Sequence, residues 1–259
     1  MNKAARFLLE MMLLGLMLPG LQASNRLILE RQVTGPIETN CYLLYDEKSK
    51  EAALFDVGGP IERLTGLIDA KGLTLKYIFA THVHMDHVEG VLALRAKYPR
   101  SKLCYNRLDW EDFPLTRDWM HKNFPPEVIA ELRQNPATAK WEEYDFSIFG
   151  PPDIFLEDNQ AFRLGEVEIK TILSPGHSRG AMCFKADDIL LSGDVLFYRS
   201  VGRTDLLGGS RPDQIRSVQK LYQSLPDATK VYPGHGEYTD IGSEKKENKR
   251  IRLDSVSDW

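Results

Sequence analysis

Cysteine is scarce in this chain, and the few cysteines do not suggest a disulfide set. The 259 residues contain three of them, an odd number that cannot all pair, and each lies in or beside a run of strand-forming residues (Cys41, Cys104 and Cys183). Small secreted proteins that depend on disulfides have a much denser cysteine pattern. We therefore interpret the three residues as buried thiols.

An excess of positive charge is also lacking. The formal net charge is −4, and the one basic run, between positions 245 and 252, is interleaved with acidic residues. Proteins that bind nucleic acids usually present a clustered basic face. We therefore expect a small-molecule substrate and no nucleic-acid partner, and we interpret the basic run as the solvated face of a helix.

Long hydrophobic runs are lacking apart from one near the N-terminus. Lys3 and Arg6 precede an apolar stretch over residues 7–18, and the segment after it ends at Ala23 and resembles a signal-peptidase site. The stretch is short for a membrane span and has no neighbouring cysteine for a lipid, so no stable membrane anchor is expected. We predict that residues 1–23 are a signal peptide for export to the periplasm or the medium and that residues 24–259 form one domain. A cytoplasmic protein is the alternative.

Histidine, by contrast, is concentrated at the ends of apolar runs. Three of the six histidines fall within Thr81-His-Val-His-Met-Asp-His87, between a predicted strand over residues 75–80 and a predicted helix. If the chain is still extended there, the two-residue spacing turns His82 and His84 to one side, where they can bind one ion. Asp86 and His87 then lie a turn further on, within reach of a second ion, although Asp86 taken alone could simply cap the helix.

Three more predicted strands end beside a glycine and a candidate ligand. The strand over 167–173 leads to His177, the one over 189–191 to Asp194, and the one over 231–232 to His235. Glycine lets the backbone turn sharply and approach an ion, and a rigid strand fixes the geometry. The candidate metal ligands are therefore His82, His84, Asp86, His87, His177, Asp194 and His235.

The order of these motifs resembles the metallo-β-lactamase-fold hydrolase superfamily, over about residues 27 to 242. Two further strings resemble the short-form glyoxalase II branch, the hydroxyacylglutathione hydrolase-like proteins: Thr39-Asn-Cys-Tyr-Leu-Leu-Tyr45 and Val201-Gly-Arg-Thr-Asp-Leu-Leu-Gly-Gly209. The resemblance implies an α/β (α+β) fold, a four-layer αββα sandwich. Two mixed β-sheets would pack face to face with helices outside and metals at one edge.

The resemblance also implies roles for the candidate ligands. His82, His84 and His177 would bind one metal, and Asp86, His87 and His235 the other, with Asp194 bridging the two. Asp86 would also orient the attacking hydroxide. Asp56 would either support a ligand from behind or close a turn with the glycines that follow it. Imidazole and carboxylate ligands without thiolate suit two Zn²⁺ ions, with Fe²⁺ or Mn²⁺ as alternatives.

The implied activity is hydrolysis of a thioester or activated ester, with an S-lactoylglutathione-type substrate as in glyoxalase II. Two divalent ions sharing a water lower its pKa towards neutrality, so no serine or cysteine nucleophile is required. The alternatives are a persulfide dioxygenase-like enzyme with one iron, and a non-catalytic metal-binding protein. Arg203 could bind a substrate carboxylate or simply pair with Asp205.

Residues 107–150 are rich in large aromatic side chains and lie between the two halves of the ligand set. We expect a helical insert there. It could form a lid or an apolar pocket wall over the site, with His121 reaching the substrate. The alternative is a packed insert with its own small core and a surface histidine.

Overall fold

The computed structural model describes residues 27–136, 138–142 and 150–253. The predicted signal peptide lies outside these ranges. Within them, no helix combines the length and the hydrophobicity that crossing a bilayer requires.

Two six-stranded sheets form the centre of the fold. The first has the strand order β1-β2-β3-β4-β5-β6 and contains β1 (Leu27–Thr34), β2 (Thr39–Asp46), β3 (Glu51–Phe55), β4 (Thr74–Phe79), β5 (Lys102–Asn106) and β6 (Ile154–Leu156). Strands β1 to β3 pair antiparallel, whereas β3 to β6 pair parallel. The sheet is therefore mixed, as expected.

The second sheet is also mixed, with the order β14-β13-β10-β9-β8-β7. Its strands, together with a short separate hairpin of β11 and β12, are β7 (Ala161–Leu164), β8 (Val167–Leu173), β9 (Met182–Ala186), β10 (Ile189–Gly193), β11 (Leu196–Phe197), β12 (Ser200–Val201), β13 (Lys230–Pro233) and β14 (Thr239–Asp240). Strand β9 runs antiparallel to both β8 and β10, and β10 runs parallel to β13. Strands β8, β10 and β13 consequently end at the same edge.

Helices connect and cover the strands. They are α1 (Glu62–Lys71), α2 (Met85–Val88), α3 (Val91–Lys97), α4 (Arg107–Asp112), α5 (Thr116–Asn123), α6 (Pro126–Gln134), α7 (Ala139–Glu142), α8 (Arg211–Ser224) and α9 (Ile241–Glu247). Helices α4 to α7 lie between β5 and β6, so they form the expected insert. The single helix expected after the histidine cluster is interrupted at Gly90, because the Gly90 amide donates to the carbonyl of Val57.

Three layers of buried side chains give the sandwich its four-layer build. Along β2, Leu43 faces the layer shared with α1 and α3, while Leu44 faces the layer between the sheets. A cluster of aromatic rings fills that central layer, with Phe79 centred 5.0 Å from Phe55 and 4.8 Å from Phe184. On the far side of the second sheet, α8 packs through Val218 and Leu221. The αββα architecture is therefore confirmed.

Two expectations about composition meet different outcomes. The three cysteines are free and buried, which confirms their interpretation as buried thiols. The basic run, however, is only partly helical: α9 ends at Glu247, and Asn248 is fully buried. The Asn248 amide donates to the carbonyl of Ser200 and its Oδ1 accepts from the Arg250 amide, so the chain bends there instead of continuing as a helix.

Candidate metal centre

The predicted ligands meet at one edge of the two sheets. His82 and His84 follow β4 in the first sheet, and His177, Asp194 and His235 follow β8, β10 and β13 in the second. His84 is still extended, with φ −66° and ψ 147°, before the chain turns into α2. The remaining two candidates, Asp86 and His87, lie in the first turn of that helix. Four strand ends and one helix start therefore bring together seven side chains that are far apart in sequence.

The first group consists of three histidines. His177 Nε2 lies 3.2 Å from His82 Nε2 and 2.8 Å from His84 Nδ1. Burial lowers the pKa of His84 to about 3, that of His177 to about 4, and that of His82 well below its ordinary value. All three rings are therefore neutral near pH 7, which is the form that binds a metal.

Hydrogen bonds on the outer side fix the tautomers of two of these rings. His177 Nδ1 lies 2.8 Å from the carbonyl oxygen of Arg203, which can only accept a hydrogen bond. Thr81 donates its hydroxyl to Asp56 and therefore accepts from His82 Nδ1 at 3.0 Å. With Nδ1 protonated in both rings, both Nε2 atoms carry lone pairs and face each other. Two lone pairs at 3.2 Å repel unless a cation lies between them.

The second group consists of Asp86, His87 and His235. Asp86 Oδ2 lies 3.2 Å from the Nε2 atoms of both histidines, which are 3.3 Å from each other. Burial would lower the pKa of His87, but the carboxylates of Asp86, Asp194 and Asp56 raise it well above its ordinary value. This pocket attracts positive charge, and a bound metal ion would take the place of that proton.

Asp194 stands between the two groups. Its Oδ1 is 3.5 Å from His87 Nε2, and its Oδ2 is 3.5 Å from His177 Nε2. The Oδ1 atom is buried and accepts no hydrogen bond from any described residue. A buried carboxylate oxygen without a partner is costly unless a cation balances it. The position of Asp194 therefore suits a ligand shared by two ions.

The space between the ligands is kept open by a glycine. A Cβ atom at Gly234 would meet Asp194 Oδ1 and would lie 2.7 Å from Cε1 of His87. Ligand atoms of a tetrahedral ion at about 2.0–2.1 Å from the metal lie roughly 3.3 Å apart, close to the 3.2 and 3.3 Å spacings of the two groups. The donor set, its spacing and the unpaired oxygen together fit two divalent ions.

Asp56 supports both groups from behind. It accepts hydrogen bonds from the amide and hydroxyl of Thr81 at 2.8 and 2.9 Å. Its Oδ2 also lies 3.0 Å from His87 Nδ1, within hydrogen-bond distance although the N–H is not aligned on the oxygen. Of the two roles considered for Asp56, the contacts favour support of the ligands.

A family comparison bears directly on this arrangement. The model of the metallo-beta-lactamase superfamily matches residues 34–235, which include all seven candidate ligands. The chain belongs to this superfamily. The match covers most of both sheets and the edge where the ligands meet, so the resemblance of the sequence motifs to that superfamily is confirmed.

Individual relatives agree with the assignment to this superfamily. The chain is 31% identical over 224 residues to a probable metallo-hydrolase, YqgX, of Bacillus subtilis, covering 84% of this chain and 94% of the relative. It is 30% identical over 213 residues to the hydroxyacylglutathione hydrolase GloC of Haemophilus influenzae, covering 82% and 92%. The crystal structure of the BLEG-1 B3 metallo-beta-lactamase matches with a TM-score of 0.66 and 31% identity. The match covers 85% of the present chain and 98% of the chain of that lactamase.

Several supporting residues had no role assigned from the sequence. Thr39 donates its hydroxyl to Asp86 Oδ2 at 3.2 Å. The side chains of Asn40 and Tyr42 donate to the carbonyl of Pro233 at 2.9 and 2.8 Å, next to His235. All three belong to the Thr39–Tyr45 string that resembles glyoxalase II. The resemblance therefore marked this segment as one of interest, but the sequence did not show which contacts its side chains make.

Asp109 of α4 is another supporting residue that the sequence did not reveal. It is 1% exposed and accepts from the Gly180 amide at 2.7 Å and from the Ser178 hydroxyl at 3.0 Å. It therefore holds the loop that follows His177. Burial raises the pKa of Asp109 to about 7.

The remaining candidate residues have surroundings that differ from one to the next. Arg203 forms a two-pronged ion pair with Asp205, with Nε–Oδ1 and Nη2–Oδ2 distances of 2.6 and 2.8 Å, which corresponds to the second of its two suggested roles. His121 lines an outer cleft of the insert and not the cavity beside the ligands. Other side chains of the insert do line that cavity, together with His84 and Asp86. Half of the aromatic residues that mark the insert in the sequence, between 141 and 149, lie outside the side chains that the structure describes.

Proposed function

We propose that the protein is a dinuclear metal-dependent hydrolase of thioesters or similarly activated esters, with S-lactoylglutathione as the first substrate to test. One observation carries the proposal: two three-residue ligand groups lie side by side, and one carboxylate, Asp194, faces a histidine of each. The similarity to a hydroxyacylglutathione hydrolase supports the choice of substrate.

Two divalent ions at this centre would supply an acidified water and positive charge for the oxyanion that forms from the ester carbonyl. The donors are imidazole nitrogens and carboxylate oxygens without sulfur, so we propose Zn²⁺, with Fe²⁺ or Mn²⁺ as alternatives. The first histidine group and the second mixed group would each hold one ion.

Asp86 is placed to orient the attacking water. Burial would raise its pKa, but His87 and His235 hold the pKa well below its ordinary value, so the carboxylate is ionised. The Thr39 hydroxyl fixes its orientation by donating to Oδ2. A carboxylate of such low basicity acts as a hydrogen-bond acceptor that aims the water and does not retain its proton.

The chain offers no competing thiol nucleophile. Cys41, Cys104 and Cys183 are buried, and burial raises the pKa of each thiol far above neutrality. Thioesters also suit a site without a strong general acid, because a thiol with a pKa of about 8.5 departs readily as thiolate. Attack by water is therefore the reaction that these side chains support.

The test combines metal analysis with a substrate panel. Purified full-length protein would be assayed with S-lactoylglutathione, aryl esters, a lactone and the β-lactam nitrocefin. We expect two metal ions per chain and the fastest turnover with the thioester. Two bound ions without turnover of any compound would contradict the proposal and favour a metal-binding protein.

The persulfide dioxygenase-like alternative makes a different prediction. It requires a single iron and consumption of oxygen with a persulfide, so iron content and oxygen uptake separate it from the hydrolase. The second ligand group supports the proposal of two ions, because Asp86, His87 and His235 lie close enough together to hold an ion of their own. Nitrocefin is in the panel because the chain is 31% identical to the BLEG-1 B3 metallo-beta-lactamase.

A further inference from the structure

A cavity of about 410 Å³ opens beside the candidate metal centre, between the helical insert and the loops that carry the ligands. His84 and Asp86 form part of its wall, and each belongs to one of the two ligand groups. A molecule in this cavity would therefore lie against the position of the reacting carbonyl. The cavity is a continuation of the active-site edge and not a separate surface cleft.

The insert supplies an apolar wall. Trp119 and Met120 come from α5, Phe124 from the connection that follows, and Val128 and Leu132 from α6, where a spacing of four residues puts them on one helix face. The rest of the protein does not cover these side chains: Val128 is 37% exposed and the other four are half-buried. Exposed apolar surface of this extent beside a reactive centre indicates a site for an apolar group.

The opposite wall is built by the loops that position the metal ligands. Ile37 and Arg203 both line the cavity, and their carbonyl oxygens accept hydrogen bonds from His235 Nδ1 at 3.0 Å and from His177 Nδ1 at 2.8 Å. Leu206 continues the wall beyond Arg203. Each of these two residues both lines the cavity and accepts a hydrogen bond from a ligand, so this opposite wall is fixed in position relative to the ligands.

Each of the two cations in the wall has a carboxylate neighbour, close for Arg203 and more distant for Arg117. The Arg203 guanidinium is held by Asp205, and Arg117 lies 4.0 Å from Asp118. The Arg203 guanidinium is therefore less available to a charged ligand in the cavity. An uncharged apolar group fits the wall better than the carboxylates of a peptide-like thiol.

We propose that this cavity binds the acyl part of the substrate, and that the preferred substrates are thioesters of medium-length straight-chain or aromatic acids. The inference rests on the proposed hydrolase function and adds its acyl specificity. At roughly 30 Å³ for each water-sized group, the cavity accepts on the order of ten heavy atoms, more than a lactoyl group has. The thiol carriers of such esters are polar and are expected on the solvent side.

The reaction itself balances as an ordinary hydrolysis. Water adds its hydroxyl to the acyl carbon, the carbon–sulfur bond breaks, and the remaining proton leaves with the thiol. The products are a free acid and a free thiol, and no oxidant or reductant takes part.

The experiment uses the metal-loaded, full-length protein and glutathione thioesters that differ only in the acyl chain, from acetyl and lactoyl to decanoyl. We expect kcat/KM to rise up to about fourfold for each added methylene until the cavity is filled, the factor that corresponds to roughly 0.8 kcal/mol per buried methylene. Binding of octanoate and acetate, measured by calorimetry below the concentration at which micelles form, gives a readout that does not depend on turnover. Octanoate should bind at least tenfold more tightly.

A matched pair of variants places the effect in the cavity. Val128→Phe adds bulk to the cavity wall, so we expect the optimum to move to a shorter chain and octanoate binding to fall at least tenfold. Val33→Phe is the control, because Val33 has a similar exposure of 46% but lies on β1 outside the cavity wall. The control should behave like the unchanged protein.

Three outcomes would overturn the inference: no dependence on chain length, equal binding of octanoate and acetate, or equal effects of the two variants. Each of these leaves thioester hydrolysis intact. Failure of the proposed function has a different signature, because then no thioester is hydrolysed while two ions are bound, and the binding measurement still decides whether the cavity takes an acyl chain.

Discussion

Replacing Asp56 with asparagine should weaken the binding of one metal ion much more than the binding of the other. Asp56 is 2% exposed, receives two hydrogen bonds from Thr81 and lies 3.0 Å from His87 Nδ1. Asparagine keeps the size and tolerates the positive φ of 54° at this position, so the fold should persist. The variant removes the negative charge behind His87. Its effect should therefore fall on the ion of the second group.

The expected magnitude is a 10- to 100-fold loss of affinity for that ion, the range found when an outer partner of a metal-binding histidine is removed. This corresponds to roughly 1.4–2.8 kcal/mol. The complementary variant is Thr81→Val, which removes the hydroxyl that contacts His82 Nδ1 at 3.0 Å and leaves the Asp56–His87 contact in place. This variant should weaken the binding of the ion in the first group instead.

Competition with a coloured chelator would measure the two stepwise affinities. His84→Ala and His235→Ala identify which step belongs to which group, and urea unfolding of the metal-free proteins verifies that each variant folds. Wild-type affinity for both ions in Asp56→Asn would refute the reasoning. Weaker binding of the same ion in both Asp56→Asn and Thr81→Val would also refute the reasoning.

Three further predictions concern Asp86, Asp109 and the N-terminal segment. Asp86→Ala should abolish hydrolysis with little loss of folding, as seen by thioester assay and thermal unfolding; full activity would refute its assigned role. Because the folded-state pKa of Asp109 is about 7 against an ordinary value of 3.8, the folded state binds the extra proton, and this carboxyl makes the protein less stable as the pH rises from about 4 to 7. The loss is on the order of 4 kcal/mol; it should be missing in Asp109→Asn, and parallel urea-unfolding profiles for the two proteins would contradict it. Finally, we propose export with removal of residues 1–23, which intact-mass analysis of the protein from its native compartment tests; a retained N-terminus and cytoplasmic location would refute it.

The sequence predicted best those features that depend on local patterns. The strand predicted over 167–173 coincides with β8, and the strand predicted over 75–80 matches β4 (Thr74–Phe79) to within one residue at each end. The ligands at the ends of these and other strands were found because polar residues after apolar runs stand out in one dimension. The family resemblance then supplied the four-layer arrangement of sheets and helices, which periodicity alone does not give.

Contacts between segments that are distant along the chain could not be predicted from the sequence. Asn40 looks like an ordinary turn residue, yet its amide donates to two carbonyls almost 200 positions away, those of Pro233 and Gly236. Asp109 lies in an insert where an acidic residue suggests a solvated helix face, but the fold buries it under the loop after His177. The apolar wall of the insert was one of two open alternatives, because aromatic residues pack into a small core or into a cavity with the same sequence pattern.

The hydrogen bonds that join β2 to the loop of His235 have a consequence for the lifetime of the protein. Through Asn40, Tyr42 and the ligands themselves, the active-site edge joins the start of the chain to its end. Ions bound there act as a removable cross-link between the two halves, because they bind the assembled protein and not its separated parts. Metal supply would then govern how long the protein survives proteolysis as well as how fast it works.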